Sequence, residues 1–222
     1  MSQSSIFPDN YDIVWLDAYI GNPERYLQLK RAFFTHIDPE SGKEISLSEQ
    51  DIDSIIQQQS GFSGSFNTFH FTLKTFDEEK ACLTYIDEIK HHRILFIASS
   101  TLGESAVKQI LQQYTDSFTN KQTNEPYNSI YIFCRDMKTA AEWALDYEDY
   151  VQIFNFEADL LTRIMRDLAD EFLNQGHQLL DSNEDKLAVE RLSWSRSLFI
   201  RYDNLKFTSK FVEKKISHRL AS

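Results

Sequence analysis

The sequence predicts an α/β fold: a three-layer, doubly wound sandwich on a five-stranded parallel sheet of order 2-1-3-4-5, with extra C-terminal helices. Three observations carry this. Strand-like and helix-like stretches alternate five times between residues 11 and 180, the signature of repeated crossover units. Two of the strands, RILFIAS (93–99) and SIYIFC (129–134), hold unbroken apolar runs between polar ends, as strands covered by helices on both faces must. The 222 residues are 41% hydrophobic, with 17 Phe and 10 Tyr, enough apolar surface for a core and too much for a disordered chain.

The elements follow in order. YDIVWLD (11–17) is a short apolar strand ending in an acid. NPERYLQLKRAFF (22–34) starts a helix, with Asn22 as cap, Pro23 at the first helical position, and Tyr26, Leu27, Leu29, Ala32 and Phe33 on its apolar side. Residues 35–65 break the rhythm and read as a projecting insertion: a turn-rich piece, a short helix carrying Leu47, Ile52, Ile55 and Ile56, then SGFSGS, spaced like a flexible linker.

FNTFHFTLKTF (66–76) alternates as a strand, and Asp77 is placed to cap the helix carrying Ala81, Leu83, Tyr85, Ile86 and Ile89. RILFIAS leads into the helix TLGESAVKQILQQY (101–114), and SIYIFC into DMKTAAEWALDY. VQIFNF (151–156) is the fifth strand. The long amphipathic helix after it carries Leu160, Leu161, Ile164, Leu168 and Phe172. The sequence thus divides into an α/β domain at 1–180 and a helical extension at 181–222, in one or two helices.

Charge narrows the function classes. A net charge of −11 repels nucleic-acid phosphates and anionic lipid headgroups. Neither a nucleic acid nor a membrane is expected as partner. The two cysteines, Cys82 and Cys134, read as free thiols in a reducing, cytoplasmic setting. The first residues, MSQSSIFPDNYD, lack the basic and apolar regions of a secretory signal.

In an open α/β sheet, ligands bind beyond the carboxyl ends of the strands, where strand order reverses. That crevice lies between the first and third parallel strands. The rim residues are Asp17, then Ser99, Ser100, Thr101 and Gly103, with Arg135 after the fourth strand. These six form a candidate ligand set for a phosphate, a nucleotide or an NAD derivative. A helix beginning at Thr101 would present free N–H groups there. The same residues have a structural explanation, because Thr101 and Glu104 have the spacing of a capping box. No Gly-x-x-x-x-Gly-Lys and no Gly-x-Gly-x-x-Gly occurs in the chain, so neither familiar nucleotide cradle is present.

Arg135 beside Cys134 would favour a thiolate, yet none of His36, His70, His91, His92, His177 and His218 falls near that strand end to act as its base. His91-His92 lies at the opposite edge and reads as a solvated loop. No metal site and no resident cofactor is expected.

IVWLDAYI, FDEEKACLTYIDEI, RILFIASSTLGESAV and SIYIFCRDMKTAAEWA together resemble a receiver-like module, of flavodoxin-like type, at the N-terminus of large rotifer proteins. There it precedes ADP-ribosyltransferase or tetratricopeptide-repeat regions. The resemblance spans about residues 11–156 without 35–65, and implies a receiver-like fold. Phosphorylated receivers also need an Asp after the third strand and a Lys after the fifth. Here those places hold Ala98-Ser99 and Phe154-Asn155, so receiver chemistry is not implied. Toll/interleukin-receptor domains share the element order, and some cleave NAD through a Glu in the helix after the third strand. Here that helix holds only Glu104, in its first turn.

The sequence therefore points to a non-catalytic regulatory or protein-interaction domain, with small-ligand or nucleotide binding at the crevice as the alternative. Trp194, Phe199, Phe207 and Phe211 are expected to offer a surface to a protein partner or to a second copy of the chain.

Overall fold

Tyr11–Leu16 (β1) is buried along its whole length, because it is the middle of the sheet. It pairs in parallel with Phe69–Phe76 (β5) on one side and with Arg93–Ser99 (β6) on the other. Ile130–Phe133 (β7) and Val151–Phe154 (β8) continue the parallel sheet beyond β6. The computed structural model of the chain describes residues 7–8, 10–38 and 40–220, with side chains as far as residue 206.

The sheet has six strands rather than the five expected, in the order β4-β5-β1-β6-β7-β8. The extra strand, Phe62–Phe66 (β4), runs antiparallel to β5. It occupies the stretch that reads as a linker. The two-residue turn Asn67-Thr68 joins Phe66 to its partner Phe69, with Asn67 at φ 52°, the left-handed conformation that tight hairpins need. Gly64 is required by packing: a Cβ there would lie 2.6 Å from the Phe71 ring and 3.0 Å from the Phe33 carbonyl oxygen. A Gly/Ser composition here reflects close approach rather than flexibility.

The rest of the 35–65 stretch also joins the domain. Thr35–Ile37 (β2) and Glu44–Ser46 (β3) form a separate hairpin. Glu49–Gln57 (α2) buries Ile52 and Ile56 in the same core as Trp15. The Thr35 hydroxyl donates to the Ser65 carbonyl at 3.1 Å, fastening the hairpin to β4.

Strand alternation sends side chains to two layers. Tyr11, Ile13, Trp15, Leu95, Ile97 and Tyr131 meet Leu27–Phe33 (α1), α2 and Glu157–Asp181 (α6). Val14, Leu16, Ile94, Phe96, Ile130 and Ile132 meet Glu79–Glu88 (α3), Ser100–Gln113 (α4) and Met137–Ala144 (α5).

Three helix starts differ from expectation. α1 begins at Leu27, and Asn22 instead caps a turn by accepting from Glu24 N at 2.9 Å. α3 is preceded by Glu78, while Asp77 accepts from Gln59 Nε2 at 2.9 Å. α4 begins at Ser100, directly after β6. Thr101 is therefore already inside the helix, and the expected capping box does not form. Glu104 pairs instead with Lys108 at 3.3 Å.

The C-terminal extension is one helix, Asp185–Leu220 (α7). It packs back on the domain. Trp194 lies 5.5 Å from the Phe69 ring and 5.1 Å from Phe172, and Leu198 is fully buried. Gly176 on α6 admits Leu192, whose Cγ would lie 2.6 Å from an added Cβ. Arg201 pairs with Glu44, tying α7 to the β2–β3 hairpin. Trp194 and Phe199, expected on a partner surface, are partly buried and pack against the protein's own core. The Phe207 and Phe211 side chains lie outside the described residues. Among the described residues, no helix is long and apolar enough to cross a membrane.

Candidate functional site

β1 and β6 lie side by side, and the chain leaves them toward different helices. Their carboxyl ends open into a cleft of about 640 Å³. Four segments line it: Asp17 to Tyr26 after β1, Ser99 to Thr101 after β6, Cys134-Arg135 after β7, and Asn155 to Glu157 after β8.

Asp17 is the anchor of the first segment. It is 1% exposed. Its Oδ1 accepts from Tyr19 N at 2.6 Å and its Oδ2 from the Tyr26 hydroxyl at 2.7 Å. Burial raises its carboxyl pKa above the usual value, and the Tyr26 and Tyr19 bonds and the Arg25 charge act against that rise. Burial, then the Asp17 hydrogen bond, pushes the Tyr26 hydroxyl well up in turn. Tyr26 has a left-handed backbone, φ 60° and ψ 35°, at the start of α1, a strained conformation for a non-glycine residue. Its ring sits 5.4 Å from Trp15 and 5.7 Å from Phe133. Packing and the Asp17 bond hold that conformation. Asp17 thus shapes the cleft wall and has no free oxygen directed at a ligand.

Arg25 and Tyr19 form the outer part of this wall. The guanidinium carbon lies 4.3 Å from the Tyr19 ring centroid, a cation–π contact. Lys30 lies beneath, with its Nζ donating to the Asn22 carbonyl at 2.8 Å and 3.9 Å from Asp53.

Ser99 is the residue of this cleft that the fold leaves unexplained. It occupies the position before α4, yet its hydroxyl makes no capping bond. That hydroxyl oxygen is buried with no hydrogen-bond partner. A buried, unpaired hydroxyl costs about 1–3 kcal/mol. With no side-chain cap, the first N–H groups of a 14-residue helix remain available at the same wall.

The start of α6 forms the facing part. Phe156 occupies the position before the helix and supplies no side-chain cap. The residue is 64% exposed. Glu157 Oε2 accepts from Gln28 N at 2.9 Å and Leu29 N at 3.1 Å. It thereby caps α1 across 129 residues of sequence. Arg135 lies exposed on the lip. Cys134 is buried, and burial followed by the Asp136 charge raises its thiol pKa. Arg135 does not activate it.

Asp17, Ser99, Ser100, Thr101 and Arg135 therefore come together at one cleft, as their places in the sequence suggest. Gly103 does not: it is buried against the sheet, where a Cβ would lie 2.9 Å from Ile132 Cδ1. Sequence reasoning missed Arg25, Tyr26, Phe156 and Glu157. Only Phe156 leaves a local trace, as an aromatic where Ser, Thr, Asp or Asn normally caps a helix.

The opposite edge of the sheet has its own polar groups. His92 Nδ1 lies 2.7 Å from Asp12 Oδ2, and the Tyr85 hydroxyl donates to Asp12 Oδ1 at 3.1 Å. His92 is thus tied to β1 rather than free in a loop. Arg93 is buried and pairs with Glu171 at 2.8 Å, joining β6 to α6. A smaller cavity of about 210 Å³ borders Lys90, His91, His92 and Lys121. Among the described residues, no cluster of three or more His, Cys, Asp or Glu side chains is arranged to hold a metal ion.

No family model, no curated protein and no solved structure matches this chain.

Proposed function

We propose that the chain is a non-catalytic regulatory domain, receiver-like and flavodoxin-like in its parallel core, that binds a small anionic ligand in the crevice above β1 and β6. The observation that carries this reading is the Ser99 hydroxyl, buried without a partner on the wall of that cleft. An anion there accepts from the hydroxyl and from the open first turn of α4. Arg25 and Arg135 supply positive charge to a lining that also holds Asp17, Glu24 and Glu157; Asp17 and Glu157 are engaged in internal hydrogen bonds.

The non-catalytic part rests on the chemistry of the lining. The Cys134 thiol is held protonated by burial. Both Asp17 oxygens already accept internal bonds. A nucleophile requires a positioned base; the lining contains no histidine, and of its glutamates Glu157 already caps α1 through Oε2. Ser99 also stands where a phosphorylated receiver carries its acceptor acid. Binding without turnover is what such a lining supports, and the resemblance to the receiver-like module agrees with it.

The test is calorimetric titration with pyrophosphate at fixed ionic strength. The expected result is saturable binding at one site, weakened about tenfold or more in Arg135→Ala, since a charged hydrogen bond contributes about 1.5–3 kcal/mol. Ser99→Ala weakens it by a smaller factor while removing a buried unpaired group. Absence of binding by pyrophosphate, phosphate and sulfate alike rejects the proposal.

A further inference from the structure

We infer that the anionic ligand carries a flat heteroaromatic ring, as a nucleotide does, and that Phe156 is the platform for that ring. This rests on the anion-binding reading of the cleft and extends it from a charge to a ligand class.

Phe156 is costly where it stands. The position before α6 is one where Ser, Thr, Asp or Asn stabilises a helix by capping it, and Phe156 forgoes that cap. The side chain gains little from burial in exchange, the residue being 64% exposed. Among the described residues, no other aromatic ring and no cation lies against it, whereas Tyr19, the other exposed ring of the cleft, has Arg25 over one face. The fold thus accounts for Tyr19 and not for Phe156.

Two features left unexplained by the fold border the same cleft: a buried hydroxyl with no partner at Ser99 and, at Phe156, an exposed ring against which no other ring or cation lies among the described residues. A bare phosphate answers the first only. A purely apolar ligand answers the second only. A nucleoside phosphate answers both, with its phosphates at Ser99, the start of α4 and Arg135, and its base on Phe156. The cleft, about 640 Å³, is of the size that holds such a ligand. Stacking on an exposed ring tolerates any base, because every base has a π-face. The inference is therefore to the class and not to one base.

The experiment compares ADP with pyrophosphate by calorimetry on the full chain, in wild type, Phe156→Ala and Phe156→Tyr. An exposed ring can be replaced without unfolding the domain, and circular dichroism checks this. Wild type is expected to bind ADP roughly five- to a hundredfold more tightly than pyrophosphate. Phe156→Ala should bring that ratio close to one, and Phe156→Tyr should restore it. Equal affinities in wild type overturn the nucleotide inference and leave the anion reading standing. A preference for ADP that Phe156→Ala does not alter overturns the role of Phe156. If neither ligand binds, both readings fall.

Discussion

The Tyr26 hydroxyl donates a 2.7 Å hydrogen bond to the buried carboxylate of Asp17, and this contact fixes the wall of the cleft. It holds an aromatic residue in a left-handed backbone at the first turn of α1. Tyr26→Phe leaves one buried carboxylate oxygen without its donor. The expected cost is about 1–3 kcal/mol in urea unfolding, with weaker anion binding because the Arg25 segment loses its anchor.

The same pair has a pH signature. Burial raises the Asp17 carboxyl above its usual value of 3.8 in the folded state. A folded-state value above the unfolded one stabilises the protein fully at pH below the unfolded value. That stabilisation is lost as pH rises through the folded value. Asp17→Asn has no such titration. Urea midpoints of the two proteins, measured from pH 4 to 8, should therefore diverge in one direction: wild type loses ground to Asp17→Asn as pH increases. The opposite slope would mean that hydrogen bonds, not burial, dominate at Asp17.

Gly64→Ala tests whether β4 is a strand. The added methyl meets the Phe71 ring, which is itself packed 4.5 Å from Phe66. Overpacking of this kind costs about 1–3 kcal/mol. A flexible linker at 60–65 would tolerate the change without loss, so an unaltered denaturation midpoint contradicts the sheet order described above.

Trp194→Ala tests whether α7 is part of the domain. Its ring fills the space between Phe69 and Phe172. Its removal should cost about 3 kcal/mol, the lower end of the range for large aromatics because the ring is partly exposed. Removing residues 185–222 should abolish cooperative unfolding and expose an apolar face to a hydrophobic dye. A truncated chain that unfolds as sharply as the whole would show that the helix is an appendage.

The parallel strands were legible for a physical reason. Residues 94–98 and 130–132 are buried on both faces, and the polar residues Arg93, Ser99 and Ser129 fall only at the ends of these runs. β4 was hidden because its sequence, FSGSF, serves close packing through Gly64, and composition cannot separate close approach from flexibility. Thr101 and Glu104 misled because β6 passes into α4 with no intervening loop, which moves the helix start one residue forward. The cleft's place followed from strand order. Its walls did not, because Tyr26 reaches Asp17 through a backbone turn, and Glu157 reaches α1 from 129 residues away. The packing of Trp194 was hidden for a similar reason: it meets Phe69 and Phe172, contacts between distant segments that periodicity does not reveal.

The most direct test of the central claim is a map of backbone amide shifts by NMR during titration with pyrophosphate. The expected result is a saturable shift of Ser99, Ser100, Thr101 and Leu102 at the start of α4, together with Arg135. His91, His92 and Lys121, which border the cavity at the other edge of the sheet, should remain unmoved. Shifts confined to His91, His92 and Lys121, or no saturable shift at all, would contradict an anion site above β1 and β6.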